Sequence, residues 1–398
     1  VSLRVVVEDE ETQISFNASR PDVITALLAH FPNFNLPNGK GFSLQLPLRH
    51  GQFQIVGLID DHVFSLATVN IRGKFEIIQG KEGWLFLDND TNRSVEQFRG
   101  KYLLNIFQRF AWRWYFLQLR SLDKESILGS AFLIAPSKES VVSDYYPIEK
   151  GNITPVEQVI KLAKQHRFSV VYPVEALISA QPRAFRKTDT HWSLNGARLA
   201  WLEAVRTLGL DSTPIEDVFN SDQYFARLQV GDLGNKVFPP KSSEELSLKN
   251  VNYRNWVVYD NHMPNFGRVI IAINNRAVFH HRLIIFGSSS TYTMLHYVCR
   301  TFTEVIFVHT ASNVDPFLMS LLSPDYVILQ SNGRFLIKPP SARYRLKLDI
   351  REKLDRMSSI ERAEVLEKGR VYVSKDVPDW VRKLHSSIFN EVDYVAKP

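Results

Sequence analysis

The pattern that most limits what this chain can fold into is its sequence of short, nearly unbroken apolar runs. Ala131 to Ala135, Leu283 to Phe286, Val305 to Val308 and Tyr326 to Leu329 are each four or five residues long, and Phe168 to Tyr172 is a fifth, interrupted only by Ser169. They do not alternate with polar residues, as a strand with one wet face would, so both faces of each strand must be covered. Helix-like segments separate them. Strand and helix in alternation imply an α/β fold with a parallel or mostly parallel sheet flanked by helices. Start and stop signals support this reading. Thr154-Pro155-Val156-Glu157 carries an N-cap, Pro at the first helical position and an acid at the third. Ser193 can cap a helix that runs to Leu208 and stops at Gly209.

Residues 1–75 have another rhythm. Leu3 to Val7, Gly41 to Leu48, Gln52 to Ile59 and Val63 to Ile71 are β-type runs separated by turn residues, with Asp60-Asp61-His62 at hairpin spacing. They predict a small β-sandwich, with a short helix after Arg20-Pro21. The main α/β unit is expected over 76–340, with an irregular insertion at about 210–282. A charged, mostly helical extension is expected over 341–398. Within the main unit, Ser94 and Gln97 suggest a capping box. Phe98, Leu103, Phe107, Phe110, Trp114 and Leu117 read as the buried face of one long helix.

Composition removes several function classes. Of 398 residues, 44% are apolar and 23% charged, so the chain is globular and not disordered. The single Cys, Cys299, excludes an intramolecular disulfide and a Cys-rich metal site, and is expected to be buried and inert. His280-His281 lacks a carboxylate at ligand spacing, so no metal is expected. No glycine pattern forms a phosphate loop or dinucleotide fingerprint. A net charge of +6 spread along the chain does not indicate a nucleic-acid partner. No stretch is long and apolar enough to span a membrane. The opening VSLRVVVEDEETQ has no leader pattern, which favours the cytoplasm, although it also lacks an initiator Met.

Two segments carry chemistry. Lys187-Thr188-Asp189-Thr190-His191-Trp192-Ser193 places an Asp two residues before a His, where the carboxylate can hold Nδ1–H and fix the tautomer. Phe286-Gly287-Ser288-Ser289-Ser290-Thr291 stands where a buried strand ends and a helix begins. A serine there presents its hydroxyl at the carboxyl edge of the sheet, beside backbone N–H groups that can stabilise an oxyanion. Each segment alone is more often a structural cap. Together they can converge into a nucleophilic Ser-His-Asp arrangement.

These residues resemble the SGNH-hydrolase-like alginate O-acetyltransferase family (AlgX- and AlgJ-like proteins). The resemblance rests on GKEGWLFL at 80–87, PSKESVVSDYYP at 136–147, TDTHWSLNGA at 188–197, FGSSST at 286–291 and SPDYVIL at 323–329, with GDLG at 231–234 a weaker match. It covers about residues 76–340. It implies an SGNH-hydrolase-like fold, with Ser289 as nucleophile, His191 as general base and Asp189 as its orienting acid. Ser288 is an alternative nucleophile, and Ser290 stays open as well, because three serines in a row leave the register unfixed. His and Asp precede Ser, the reverse of the usual SGNH order but the order of this family. The Ser289 N–H is the expected oxyanion donor, with Tyr292 and Asn313 as further candidates and Arg334 as a candidate for binding the sugar.

The implied activity is O-acetylation of a bacterial polysaccharide or its precursor through an acetyl-serine. It would need an acetyl donor and a polysaccharide or oligosaccharide acceptor, and no bound cofactor, with polysaccharide-assembly proteins as candidate partners. A carbohydrate acetyl esterase and a non-catalytic glycan-binding protein are the alternatives. Alginate-type relatives are periplasmic, which would apply here if a leader was removed. SRPDV, HFPNF and GKGFSLQLPL more loosely resemble β-sandwich modules of bacterial polysaccharide enzymes.

Overall fold

The computed structural model describes residues 2–7, 10–14, 18–19, 40–41, 51–59, 62–71, 77–122, 127–237, 239–373 and 377–389. Its centre is a seven-stranded sheet. From one edge to the other the strands are Val170–Val171, Gly129–Ala135, Tyr326–Asn332, Phe279–Gly287, Phe302–His309, Val269–Ile273 and Val257–Asp260. The first five run parallel. The last two are antiparallel additions. The sheet is therefore mostly parallel, as the apolar runs imply.

Each strand is covered on both sides because successive side chains point to opposite faces. Leu133, Ile285, Phe307 and Ile328 pack with Ala197, Trp201, Leu295 and Val298 from the helices Leu194–Thr207 and Thr291–Thr301. Phe132, Ile284, Ile306 and Leu329 face the other layer, with Trp112, Phe116 and Val159 from the helices Ile106–Leu122 and Pro155–Gln165. The predicted caps are present. The Thr154 side chain accepts from Val156 N–H, and Glu157 reaches back to the Thr154 N–H. The Ser193 hydroxyl accepts from Gly196 N–H at 3.1 Å. Gly209 takes φ +79°, the left-handed conformation that ends a helix without strain.

Three expectations change. Phe107, Phe110, Trp114 and Leu117 are exposed, and the buried face of their helix is Trp112, Tyr115, Phe116 and Leu119. Both faces are apolar, so periodicity alone does not set the phase. The helix also begins only at Ile106, which leaves Phe98 and Leu103 off it. The expected capping box at Ser94 and Gln97 does not form. Ser94 donates to the Asp88 carbonyl, and Gln97 Nε2 donates to the Asn92 and Arg334 carbonyls. The stretch 210–282 is not wholly irregular. It contains a helix Thr213–Asn220, the hairpin Tyr224–Val230/Ser242–Leu248 and both antiparallel edge strands of the main sheet. After residue 341 the described residues form the helices Leu346–Arg356, Ser359–Val373 and Asp379–Ile388. Leu346, Ile350, Leu354, Val381 and Leu384 join the second core layer.

In the N-terminal part, Glu10–Ile14, Ser2–Val7, Gly51–Ile59 and His62–Ile71 form one four-stranded antiparallel sheet in that order. Ala18–Ser19 pairs with Lys40–Gly41. The helix expected after Arg20-Pro21, most of the Gly41–Leu48 strand and the remainder of the expected sandwich lie outside the described residues.

Candidate active site

Ser289 lies just beyond the carboxyl end of the Phe279–Gly287 strand, ahead of the helix Thr291–Thr301. This is the edge of a parallel sheet where ligands generally bind. The chain turns tightly there. A Cβ on Gly287 would stand 2.2 Å from the Thr291 hydroxyl, so glycine is needed for the close approach.

The three adjacent serines have different surroundings. Ser288 is fully buried; its N–H and hydroxyl donate to Gln330 Oε1 at 2.7 and 2.8 Å, and the hydroxyl also lies 2.9 Å from Asn332 Oδ1. Ser290 is buried and donates to Asn332 Oδ1 at 2.8 Å. Ser289 alone of the three points to His191, with its Oγ 2.9 Å from Nε2. Among the described residues the Ser289 N–H meets no acceptor, which leaves it available to a ligand oxygen.

His191 is held from the other side. Asp189 Oδ1 lies 2.7 Å from His191 Nδ1 and also accepts the His191 backbone N–H at 2.8 Å. One carboxylate oxygen thus fixes both the ring and the chain that carries it, which is what an Asp two residues before a His permits. Burial opposes ionisation of Asp189. The hydrogen bonds and charge of His191, aided by Arg186 at 3.7 Å, outweigh burial and hold the carboxyl well below the usual carboxylate range. Trp192 is buried, and its indole N–H donates to the Ser290 carbonyl at 2.9 Å, which ties this loop to the serine turn.

Two nearby residues had no role assigned from sequence. Asp232 Oδ2 is 3.7 Å from His191 Nδ1, and Asp232 also binds Thr190 through both the backbone N–H (2.7 Å) and the hydroxyl. Its loop can come this close because Gly231 has no side chain; a Cβ there would sit 2.2 Å from the Thr188 carbonyl oxygen. The GDLG segment held that signal. Asp189, His191 and Asp232 bring donor atoms within 4.8 Å of one another. The His191 nitrogen involved is the one that Asp189 already engages, so the cluster is better described as a hydrogen-bonded imidazole than as a ligand set.

The second is Lys138, within PSKESVV. Its buried ammonium donates to the carbonyls of Leu85 (2.6 Å), Lys187 (2.9 Å) and Asp189 (3.0 Å), between the rings of Trp84 and Phe86. Burial pulls its pKa down to about 7, and the Asp189, Asp232, Glu139 and Glu245 charges only partly restore it.

Other candidates separate from this cluster. Tyr292 lines the same cleft as Ser289, with its hydroxyl 3.3 Å from His309 Nδ1. Asn313 does not belong there. Its amide donates to the Thr310 carbonyl at 2.6 Å and accepts from Ser341 N–H at 2.8 Å, so it braces a turn. Arg334 is half-buried rather than a surface residue. Its Nε lies 3.5 Å from Asp90, and with Ser290 and Asn332 it lines a small adjoining cavity. His280 and His281 contact Thr303 and Asp325 separately. Cys299 is buried, and burial pushes its thiol pKa up.

The cleft holding Ser289 and His191 has a volume of ≈ 690 Å³. The Tyr224–Val230/Ser242–Leu248 hairpin and the segment after it build one wall. Arg186, Arg227, Lys249 and Arg254 line it, with Tyr253 and Tyr292, and among the described residues no Asp or Glu does.

No family model matches the chain, and no curated protein matches its sequence. Solved structures do. The chain is similar to the O-acetyltransferase domain of Pseudomonas putida AlgJ at 13% identity and TM-score 0.42, over 74% of this chain and 99% of that one. It is similar to Bacillus cereus PatB1 at 13% identity and TM-score 0.45, over 65% and 96%. It is also similar to Pseudomonas aeruginosa AlgX at 12% identity and TM-score 0.39, over 68% of each chain. AlgJ and AlgX are the proteins named in the resemblance drawn from the sequence motifs.

Proposed function

We propose that the chain is an O-acetyltransferase for a polysaccharide or its oligosaccharide precursor, working through Ser289, His191 and Asp189. The observation that carries this reading is the line Ser289 Oγ–His191 Nε2 (2.9 Å) and His191 Nδ1–Asp189 Oδ1 (2.7 Å), opening into a cation-lined cleft. Both distances are within hydrogen-bond reach, as proton transfer requires.

In the first half-reaction Ser289 Oγ attacks the acetyl carbonyl carbon while His191 Nε2 takes the serine proton. Negative charge develops on the carbonyl oxygen, where the Ser289 N–H can donate. The tetrahedral species collapses. The donor's leaving group departs with the proton from His191, and an acetyl ester remains on Ser289. In the second half-reaction a sugar hydroxyl gives its proton to His191 and attacks the ester carbonyl. Ser289 leaves, recovers the proton, and the acetylated sugar is released. Asp189, kept ionised, stabilises the imidazolium in both halves. Arg186, Arg227, Lys249 and Arg254 favour an acceptor that carries carboxylate or another anionic group.

Water in place of the sugar gives an esterase, which shares the first half-reaction. The deciding experiment supplies p-nitrophenyl acetate with and without an anionic oligosaccharide and identifies products by mass spectrometry. Acetylated oligosaccharide is expected. Acetate release unaffected by sugar would make the protein an esterase, and an inert Ser289 would leave only glycan binding.

A further inference from the structure

The helix Ile106–Leu122 has a second apolar face that nothing covers among the described residues. Phe107, Phe110, Trp114 and Leu117 are 79%, 58%, 59% and 45% exposed, and Ile106 at the start of the helix is 63% exposed. Steps of three, four and three residues place the first four on one side. Isolated exposed apolar residues are ordinary, but a continuous aromatic stripe on one helix marks a contact surface.

The charges on the helix itself have a single sign, with Asp123 and Glu125 following only after its end. Arg109, Arg113 and Arg120 are exposed on the same helix, and its 17 residues include no Asp or Glu. The Arg113 guanidinium lies over the Phe110 ring at 5.7 Å. With the Gln118 amide turned to satisfy its neighbours, its oxygen accepts from Trp114 Nε1 (3.1 Å) and Arg343 Nε (3.0 Å), which places a further cation beside the indole. Lys338 is exposed next to Ile337, whose carbonyl accepts from Gln108 at 2.7 Å. Exposed Trp, Phe and Leu flanked by arginine match an interfacial helix that lies in the plane of a lipid headgroup layer.

We propose that this helix docks the protein on an anionic membrane surface. Phe107, Phe110, Trp114 and Leu117 enter the boundary between headgroup and acyl chain, and the guanidinium groups meet lipid phosphates. The charge pattern favours lipid over a protein groove, since every charged residue on the helix itself is an arginine and Arg343 adds a cation beside Trp114. The helix does not span: no helix among the described residues is long and apolar enough to cross a membrane. Docking bears on the reaction through position. Trp112 and Gln108 bond the helix to the Leu336 and Ile337 carbonyls, just past the strand end that holds Asn332 beside Ser290. The start of the helix and the reactive serine turn therefore share the carboxyl edge of the sheet.

The test is co-sedimentation of the full chain with phosphatidylcholine vesicles with or without about 30% phosphatidylglycerol. Binding is expected to the anionic vesicles, weaker in high salt, and reduced about tenfold or more in Phe107→Ser/Trp114→Ser. Arg109→Glu/Arg113→Glu should lose the same binding with the apolar stripe intact. The exposed positions should leave the circular dichroism melt and acetyl ester turnover unchanged, which separates this proposal from the enzymatic one. No binding by the wild type, equal binding to neutral vesicles, or equal binding by both variants would overturn it. So would self-association that the serine variant abolishes, without vesicle binding, since that would assign the face to a second copy.

Discussion

The Lys138 ammonium stands 3.0 Å from the carbonyl oxygen of Asp189, the residue whose carboxylate holds His191. The same ammonium takes the Leu85 and Lys187 carbonyls, so one buried cation gathers three backbone oxygens beneath the loop that carries the imidazole. Replacing it with an apolar chain of similar length removes a donor from all three, of which Lys187 keeps the Leu85 N–H at 3.1 Å, and leaves the loop less fixed. Lys138→Met should lower kcat for an acetyl ester about tenfold or more with KM little changed. Steady-state kinetics reads this directly, and an unchanged kcat would remove Lys138 from the positioning of His191.

Lys138 also gives a pH signature. Its pKa is about 7 in the folded protein, below the ordinary 10.5. Below pH 7 both states carry the proton, and the penalty of burying the charge is fully present. Between about 7 and 10.5 the unfolded chain holds more protons than the folded one. Stability from this group therefore rises with pH, by at most roughly 1.4 kcal/mol per unit. Denaturant titrations across this window should show that rise in the wild type and a flatter profile in Lys138→Met.

Asp189 works in the opposite direction. Its folded pKa is depressed, so its stabilisation is present above the unfolded value and is lost as pH falls through the folded one. Asp189→Asn should therefore be less stable than wild type near neutrality, with the gap closing in strong acid. If the carboxylate orients His191, the same variant should lose about 10⁴-fold in turnover, as in the best-studied Ser-His-Asp enzymes. Near-normal turnover would exclude that role.

Ser289→Ala should abolish acetyl transfer with little change in thermal stability, because its hydroxyl faces the cleft. Ser288→Ala should do the reverse. It leaves Gln330 and Asn332 with one donor fewer in a buried network, for about 1–3 kcal/mol of stability, while transfer persists. Melting curves paired with activity for the two variants decide between the serines.

Arg227→Ala and Arg254→Ala should raise KM for an anionic oligosaccharide, about tenfold in the double variant, and leave turnover of a small neutral ester intact. The wild-type KM should also rise with salt. A KM insensitive to both changes would mean that the cations lining the cleft do not contact the acceptor.

Local chemistry was legible in the residues themselves. The strands over 131–135, 283–286, 305–308 and 326–329 follow from apolar runs that only a doubly covered sheet can bury. The Thr154 and Ser193 caps follow from side chains that satisfy N–H groups two or three residues away. The link between Asp189 and His191 is equally local, since two residues suffice for one carboxylate to reach both the ring and the backbone. The phase of the Ile106–Leu122 helix was not legible. Aromatics lie on both faces, and the choice of Trp112, Tyr115, Phe116 and Leu119 depends on what the sheet offers them.

The sequence by itself determined which elements form and which residue types could do acyl chemistry, because caps, turns and strand burial act over a few residues. Tertiary structure alone decided which serine faces His191. Ser288 and Ser290 are drawn inward by Gln330 and Asn332, some forty residues further along the chain, and Ser289 is left toward the cleft. It also brought Asp232 and Lys138 to the histidine loop and moved Asn313 away from it. These are contacts between distant segments, and they become fixed only when the sheet packs and its carboxyl edge assembles.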